Sequence, residues 1–387
     1  MNFDILKKYM DSLNCREGIE GGTAPGSNIV IYKNHERLFS YSTGLADIEE
    51  GILTTTEHSY DIYSCSKITT AVAAMQLIER GVIAFDDPVS KYIPAFADIK
   101  VKDKDKDGNV IGLRTPKREV LIRHLLTMTS GMEYNMHSPE IEQVIADTNG
   151  RAPTLEVCRA LAMAPLDFDP GEGYRYSASL DVMGGVIEVA SGMKFSKYVE
   201  ENIFIPLGMT QTTYHPDPNA ENRVTHYTYL KDAHAIKRCP KEQAHHRLGT
   251  EYDGGGGGMA STASDYILLM DALACGGVGA TGKRILKTET VDLMRTPTLT
   301  KEQNRAFVTE YSKGYEYCYG VRVLTDPDTY GNLATLGSFG WDGWKMCYAV
   351  ADPARRISAF FTAALDGFHD TLINPLRNAI YASLLAE

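Results

Sequence analysis

Residues 60–96 read YDIYSCSKITTAVAAMQLIERGVIAFDDPVSKYIPAF, and this stretch decides both fold and chemistry. Between Ser64 and Glu79, the residues Ile68, Ala71, Val72, Met75, Leu77 and Ile78 leave almost no polar face. A helix buried nearly all round is predicted there. Gly81 supplies its C-terminal stop, and Asp86-Asp87-Pro88 opens the next segment. At the helix start stands Ser64-Cys65-Ser66-Lys67, an S-x-x-K pattern. Positions i and i+3 share a helix face, so hydroxyl and amine can meet. The helix N-terminus adds the positive end of a dipole, which favours a developing alkoxide. A lysine buried at that point is expected to lose affinity for its proton and to serve as a base near neutral pH.

Spacing alone is a weak signal. Ser191-Gly192-Met193-Lys194 repeats the pattern, but at a helix C-terminus, where the dipole has the wrong sign. Only the first copy is a candidate nucleophile.

Outward from this helix, residues 27–42 read as a strand pair around the polar turn Lys33-Asn34-His35-Glu36. Helical spacing recurs over 120–130, 179–191 and 265–274, the last preceded by Ser261 and Thr262 as candidate caps. Residues 319–324, 344–351 and 357–365 are strand-like, with Asp352-Pro353 as a turn, and 374–385 closes the chain as a helix. Strands at both ends with helices between them predict one sheet assembled from the two termini. The expected division is 1–66 with 310–387 as an α/β sheet domain and 67–309 as a mainly helical one, the site lying in the cleft between.

A formal net charge of −11 argues against nucleic-acid or anionic-membrane partners, since both demand a basic surface. The N-terminal MNFDILKKYMDSLNCREG is amphipathic and lacks the pattern of a signal peptide, and no apolar run is long enough for a membrane span. Seven cysteines, an odd number without C-x-x-C spacing, suit reduced thiols. A cytoplasmic location is expected.

Three lesser motifs are set aside. DKDKDG (103–108) imitates the start of a calcium loop, but Arg114 stands where the bidentate acid belongs, so a solvated hairpin turning at Asp107-Gly108 is expected. His226, His234, His245 and His246 crowd one polar stretch without metal-ligand spacing and read as a loop of solvated histidines. Gly254 to Gly258 lack the Lys-Ser/Thr of a phosphate loop, and no G-x-S-x-G elbow is present.

Around Ser64 the quoted stretch resembles the serine β-lactamase and penicillin-binding superfamily, and in particular its class C β-lactamase-like and esterase branch. The likeness continues in order through VLIRHLLTMTSGM (120–132), PGEGYRYSASLDVMGGVIEVASG (170–192), IFIPLGM (203–209), GGGGGMASTASDYILLMDAL (254–273) and FGWDGWKMCYAVADP (339–353). It implies a β-lactamase/transpeptidase-like fold and an acyl-enzyme on Ser64, with Lys67 and Tyr176 as its proton-handling partners. The family's strand motif falls on Trp341-Asp342-Gly343, which implies a substrate-facing strand. Gly343 would let a carbonyl approach, and the amide of Trp344 would join that of Ser64 in an oxyanion hole. No metal or organic cofactor is implied.

Two departures bear on substrate. Ala178 stands where the β-lactamases and peptidases carry an asparagine, and Trp341 where they carry a cation for the substrate carboxylate. An indole offers an apolar face and one N–H donor. Both favour a neutral acyl substrate, so an esterase on small acyl esters is expected. The alternatives are a penicillin-binding DD-peptidase or weak β-lactamase on D-amino-acid peptides or β-lactams, an acyltransferase, and a non-catalytic binding protein.

Overall fold

Two strand pairs from opposite ends of the chain meet edge to edge. In the computed structural model, which describes residues 1–14, 24–230, 235–240, 247–309, 312–366 and 369–386, Gly26–Lys33 pairs antiparallel with Ile357–Thr362, from Asn28 opposite Thr362 to Lys33 opposite Ile357. The sheet runs in the order Tyr315–Tyr317, Arg322–Leu324, Phe339–Gly343, Cys347–Asp352, Ile357–Thr362, Gly26–Lys33, Glu36–Asp47, Ile52–Leu53, antiparallel throughout. The fold is of the β-lactamase/transpeptidase-like α/β kind, its sheet built from both chain ends.

Cys347–Asp352 and Ile357–Thr362 are buried at every residue, because both faces of the sheet are covered. Alternation sorts their side chains. Ala349 and Phe360 lie opposite each other on one face, where the Phe360 ring packs 4.7 Å from that of Tyr266 in the helix Ala263–Ala274. Tyr348 and Asp352 point to the other face, against Arg377 and Tyr381 of the C-terminal helix His369–Leu385. The first helix, Asp4–Leu13, docks on that C-terminal helix through Leu6 N–H to Ser383 Oγ (3.2 Å) and Tyr9 O–H to the Leu372 carbonyl (2.9 Å).

The domain division expected from sequence shifts accordingly. Helix Ala263–Ala274 was assigned to the helical part, yet it packs on the sheet and fastens the first hairpin. Asn34 and His35 in that turn adopt φ of 50° and 72°, and buried Asp271 accepts from the His35 backbone N–H (3.1 Å) and pairs with its Nδ1 (2.8 Å). Amphipathic spacing does not say which layer a buried helix joins.

The helix Ser66–Glu79 is buried at every position from Ser66 to Leu77. It packs against Ser179–Ser191, which ends in Gly192 at φ 70°. The stretch 120–130 is helical only over Ile122–Leu126, ending before Met128 at φ 56°. Residues 101–114 form the expected hairpin: Asp105 accepts from the backbone of Asp107 and Asn109 (2.9 Å each), and Arg114 forks onto Asp169 at 2.9 and 2.7 Å. Among the described residues no helix is long and apolar enough to cross a membrane, and the six described cysteines are free thiols.

Candidate active site

Ser64 lies in a single tight turn, Tyr63–Cys65, that feeds directly into the helix Ser66–Glu79. Tyr63 holds φ 45°, which for a β-carbon residue costs about 1–3 kcal/mol and has to be held by its surroundings. Here it is held on every side. Ile62 N–H donates to the Met259 carbonyl (3.0 Å), Tyr266 O–H to the Cys65 carbonyl (2.6 Å), and Met259 N–H to Ser66 Oγ (3.2 Å).

The Ser64 hydroxyl oxygen accepts two hydrogen bonds. Lys67 Nζ donates from 3.1 Å and the Tyr176 hydroxyl from 2.6 Å. Two donors converging on one oxygen at a helix N-terminus suit an alkoxide. Lys67 is fully buried and also donates to the carbonyl of Gly256. Its ammonium lies 4.8 Å from the Tyr176 ring centroid and 5.2 Å from that of Tyr134.

Lys67 departs from expectation in its protonation. Burial acts to lower its pKa, but Tyr134, Tyr176 and Asp181 together outweigh burial and hold it above the ordinary lysine value. The direction is thus opposite to that of a depressed base. Burial is the one cause readable from a local helix pattern; the opposing groups arrive from other segments.

Asp181 acts through the glycine run. Its Oδ1 accepts from Gly256 N–H (3.0 Å) and from Tyr252 O–H (2.7 Å), while the Gly256 carbonyl takes Lys67. A β-carbon on Gly256 would lie 2.1 Å from Asp181 Oδ2, and one on Gly255 would lie 2.3 Å from the Leu180 carbonyl. Only glycine lets this backbone pass between the two helices.

The strand Phe339–Gly343 forms the opposite wall. Trp341 stacks on Tyr176 at 5.8 Å and 18°, with Tyr134 stacked on the far side of Tyr176 at 5.6 Å and 7°. Phe307 and Tyr317 enclose the indole at 6.2 and 5.1 Å. The strand backs onto the nucleophile turn: Cys65 Sγ lies 3.6 Å from the Trp341 carbonyl, and a β-carbon on Gly343 would sit 2.2 Å from the Ile62 carbonyl. Trp344 follows in the turn, half-exposed, its indole N–H bonded to Asp366 (2.7 Å).

Asp342 is not among the groups facing the cleft. It lies opposite Tyr348 on the C-terminal helix side of the sheet, where Arg322 grips its carboxylate with both nitrogens. Strand alternation requires this once Trp341 faces Tyr176. Its contribution is to hold the strand.

His226 is a second correction. It is buried, not solvated, and its Nε2 lies 3.1 Å from Asp61, which also receives Arg223 (2.6 Å) and Arg247 (2.7 Å). Burial acts to raise the Asp61 pKa, but His226 and the two arginines overcome it and hold the carboxyl far below its ordinary value. His234, His245 and His246 lie outside the described residues.

Tyr134 and Asp181 were not singled out by sequence reasoning. Asp181 carried a faint signal as an acid in the first turn of a helix. Tyr134 carried none, since GMEYNM reads as loop.

A serine whose oxygen is held by a lysine one turn on and by a tyrosine from the segment that leads into the helix Ser179–Ser191, beside a sheet built from both chain ends, makes a candidate SxxK-type serine centre. The chain belongs to the beta-lactamase family, whose model matches residues 6–382. It is 27% identical over 384 residues to esterase EstB of Burkholderia gladioli, covering 92% of this chain and 91% of that protein. It is 29% identical over 287 residues to the monacolin J acid methylbutanoyltransferase of Aspergillus terreus, covering 73% and 68%. In structure it is similar to EstCE1, described as a hydrolase with promiscuous acyltransferase activity: TM-score 0.77, 24% identity, 98% of this chain and 99% of that one. The protein is thus a member of a serine hydrolase superfamily that includes esterases, carboxypeptidases and acyltransferases.

Proposed function

We propose that this protein is an esterase-type serine hydrolase that forms an acyl-enzyme on Ser64. The observation that carries the reading is the Ser64 oxygen held between Lys67 and Tyr176, with Trp341 stacked on that same tyrosine. Tyr176, having passed its own proton to solvent, takes the Ser64 proton as the oxygen attacks the ester carbonyl, and the Lys67 ammonium stabilises the anion being formed. The amides of Ser64 and Trp344 hold the tetrahedral oxyanion, a role supported by the close approach of Gly343 to the Ile62 carbonyl. Tyr176 returns a proton to the leaving alcohol, and water repeats the sequence to release the acid.

An ester is favoured over a β-lactam or a peptide because Ala178 contributes only a buried methyl group and Trp341 only an aromatic face beside the nucleophile. Among the described residues, Ala178 and Trp341 bring no charge to meet a substrate carboxylate. Acyl transfer to an alcohol in place of water is a second reading, supported by the likeness to the methylbutanoyltransferase. Product analysis with a competing small alcohol separates the two.

The test is intact-mass spectrometry after a fluorophosphonate probe, with short-chain p-nitrophenyl esters and a penicillin assayed alongside. One adduct on the wild type, none on Ser64→Ala, and ester turnover exceeding penicillin turnover are expected. Labelling that persists in Ser64→Ala removes the nucleophile, and stable penicillin acylation without ester turnover removes the esterase.

A further inference from the structure

One residue beyond Trp344, a second buried lysine meets a thiol. Lys345 is 2% exposed, and its Nζ lies 4.0 Å from Cys239 Sγ. The two residues belong to separate segments with anchored backbones. Cys239 N–H donates to the His226 carbonyl (2.8 Å), and Leu365 N–H donates to the Lys345 carbonyl (3.2 Å). The rings of Tyr63 and Trp344 flank the ammonium at 5.6 and 5.7 Å. Cys239 is only half-buried and lines a cavity of about 310 Å³ whose wall includes Arg223, Arg238 and Arg247. A small oxidant can therefore reach the sulfur. Burial lowers the Lys345 pKa against the pull of Cys239, Asp366 and Asp61, which raises the share of neutral, nucleophilic amine. Neither group takes part in the acyl-transfer steps.

We propose that Cys239 and Lys345 are an oxidant-triggered cross-linking site that closes to a sulfenamide. A peroxide delivers one oxygen to the Cys239 sulfur as its O–O bond breaks, giving a sulfenic acid, and the other oxygen leaves as water. The sulfur is oxidised by two electrons and the peroxide reduced by two. Neutral Lys345 Nζ then attacks that sulfur and the S–O bond breaks. The hydroxyl departs with an amine proton as water, leaving an S–N bond. The protein has lost two hydrogens in all. An external thiol reverses the link by attacking the sulfur and releasing the amine, and a second thiol restores Cys239. Cys65 and Cys347 stand in contrast, being fully buried with thiols pushed up chiefly by burial. While closed, the link ties the turn that follows Gly343 to the end of the strand Ala235–Arg238.

The test treats the full-length protein with hydrogen peroxide, blocks free thiols and maps peptides without reduction. A single joined pair carrying Cys239 and Lys345 is expected, lighter than its two peptides by two hydrogens. It is expected to vanish with dithiothreitol and to be absent from Cys239→Ser and Lys345→Arg. Cys239 recovered only as sulfinic acid or a disulfide, with Lys345 unmodified, overturns the proposal. The wild-type map decides by itself should a variant fail to fold. Mass, not turnover, is the readout, so its failure is separate from failure of the esterase reading.

Discussion

Ser64–Lys67 and Ser191–Lys194 carry the same four-residue pattern, and the fold places them in opposite settings. The first sits where a helix begins, its lysine fully buried and its serine oxygen accepting from Lys67 and Tyr176. The second sits where the helix Ser179–Ser191 ends. Ser191 Oγ accepts from the Met193 backbone N–H (3.2 Å), Gly192 turns the chain at φ 70°, and Lys194 is exposed. That same helix serves the working centre from its other end, through Asp181 in its first turn. Spacing sets reach. The helix end and what encloses the lysine set the two copies apart.

The sharpest way to break the comparison is to remove each serine. Ser64→Ala is expected to lower ester kcat by about 10⁴-fold or more, in line with loss of an acyl-enzyme nucleophile. Ser191→Ala should leave kcat unchanged and stability within about 0.5 kcal/mol, as for surface positions outside special features. Comparable losses in both variants would end the distinction.

The lysines come next. Lys67→Met is expected to reduce kcat by about 10²- to 10⁴-fold, the usual range for a proton-handling group, whereas Lys194→Met changes it less than about twofold. Because Lys67 is held above the ordinary lysine value, its loss of charge should not define the neutral limb of the kcat–pH profile. A neutral limb present in the wild-type profile and absent from that of Lys67→Met would restore the depressed-base picture.

A pH measurement separates scaffold from site. His124 is held down at about 4 by burial first and then by Arg123 and Arg118, and its Nδ1 accepts from the Leu121 backbone N–H (3.1 Å). Its neutral form is the folded form. Between about pH 6.5 and 4 the unfolded chain binds a proton that the folded one refuses, so stability falls as pH falls through that window, by about 3 kcal/mol in all. Denaturant titrations across it should show the decline, and His124→Gln should flatten it.

The smallest effects belong to the shared helix. Asp181→Asn keeps the bond from Gly256 but removes a charge, and is expected to cost about tenfold in kcat with KM unchanged, roughly 1.4 kcal/mol. At the opposite end, Gly192→Ala should cost about 1 kcal/mol of stability, the penalty for a left-handed backbone with a β-carbon. It should leave kcat alone. Thermal melts beside initial rates would show whether the two ends are as independent as their surroundings imply.

Much of this was legible locally. The all-round burial of Ser66–Glu79, the stop at Gly192 and the hairpin at 101–114 follow from composition and turn chemistry within a few residues. The order of motifs was enough to bring Ser64, Lys67, Tyr176 and Trp341 into one reading. Where expectation and structure part, the deciding neighbour lies far along the chain. Helix Ala263–Ala274 joins the sheet because Phe360 and Asn34–His35 receive it. His226 is buried because Asp61, itself held by Arg223 and Arg247, pairs with its ring nitrogen.

The sequence by itself determined the buried helix that carries Ser64 and Lys67 and the architecture around it, since those rest on periodicity, glycine positions and motif order. Only the tertiary structure decided the direction in which the Lys67 pKa moves, the outward turn of Asp342 and the entry of Tyr134 into the site. A proton's free energy depends on every charge and dipole within a few ångströms, whatever their separation in sequence, and a strand shows its face only after its partners are paired.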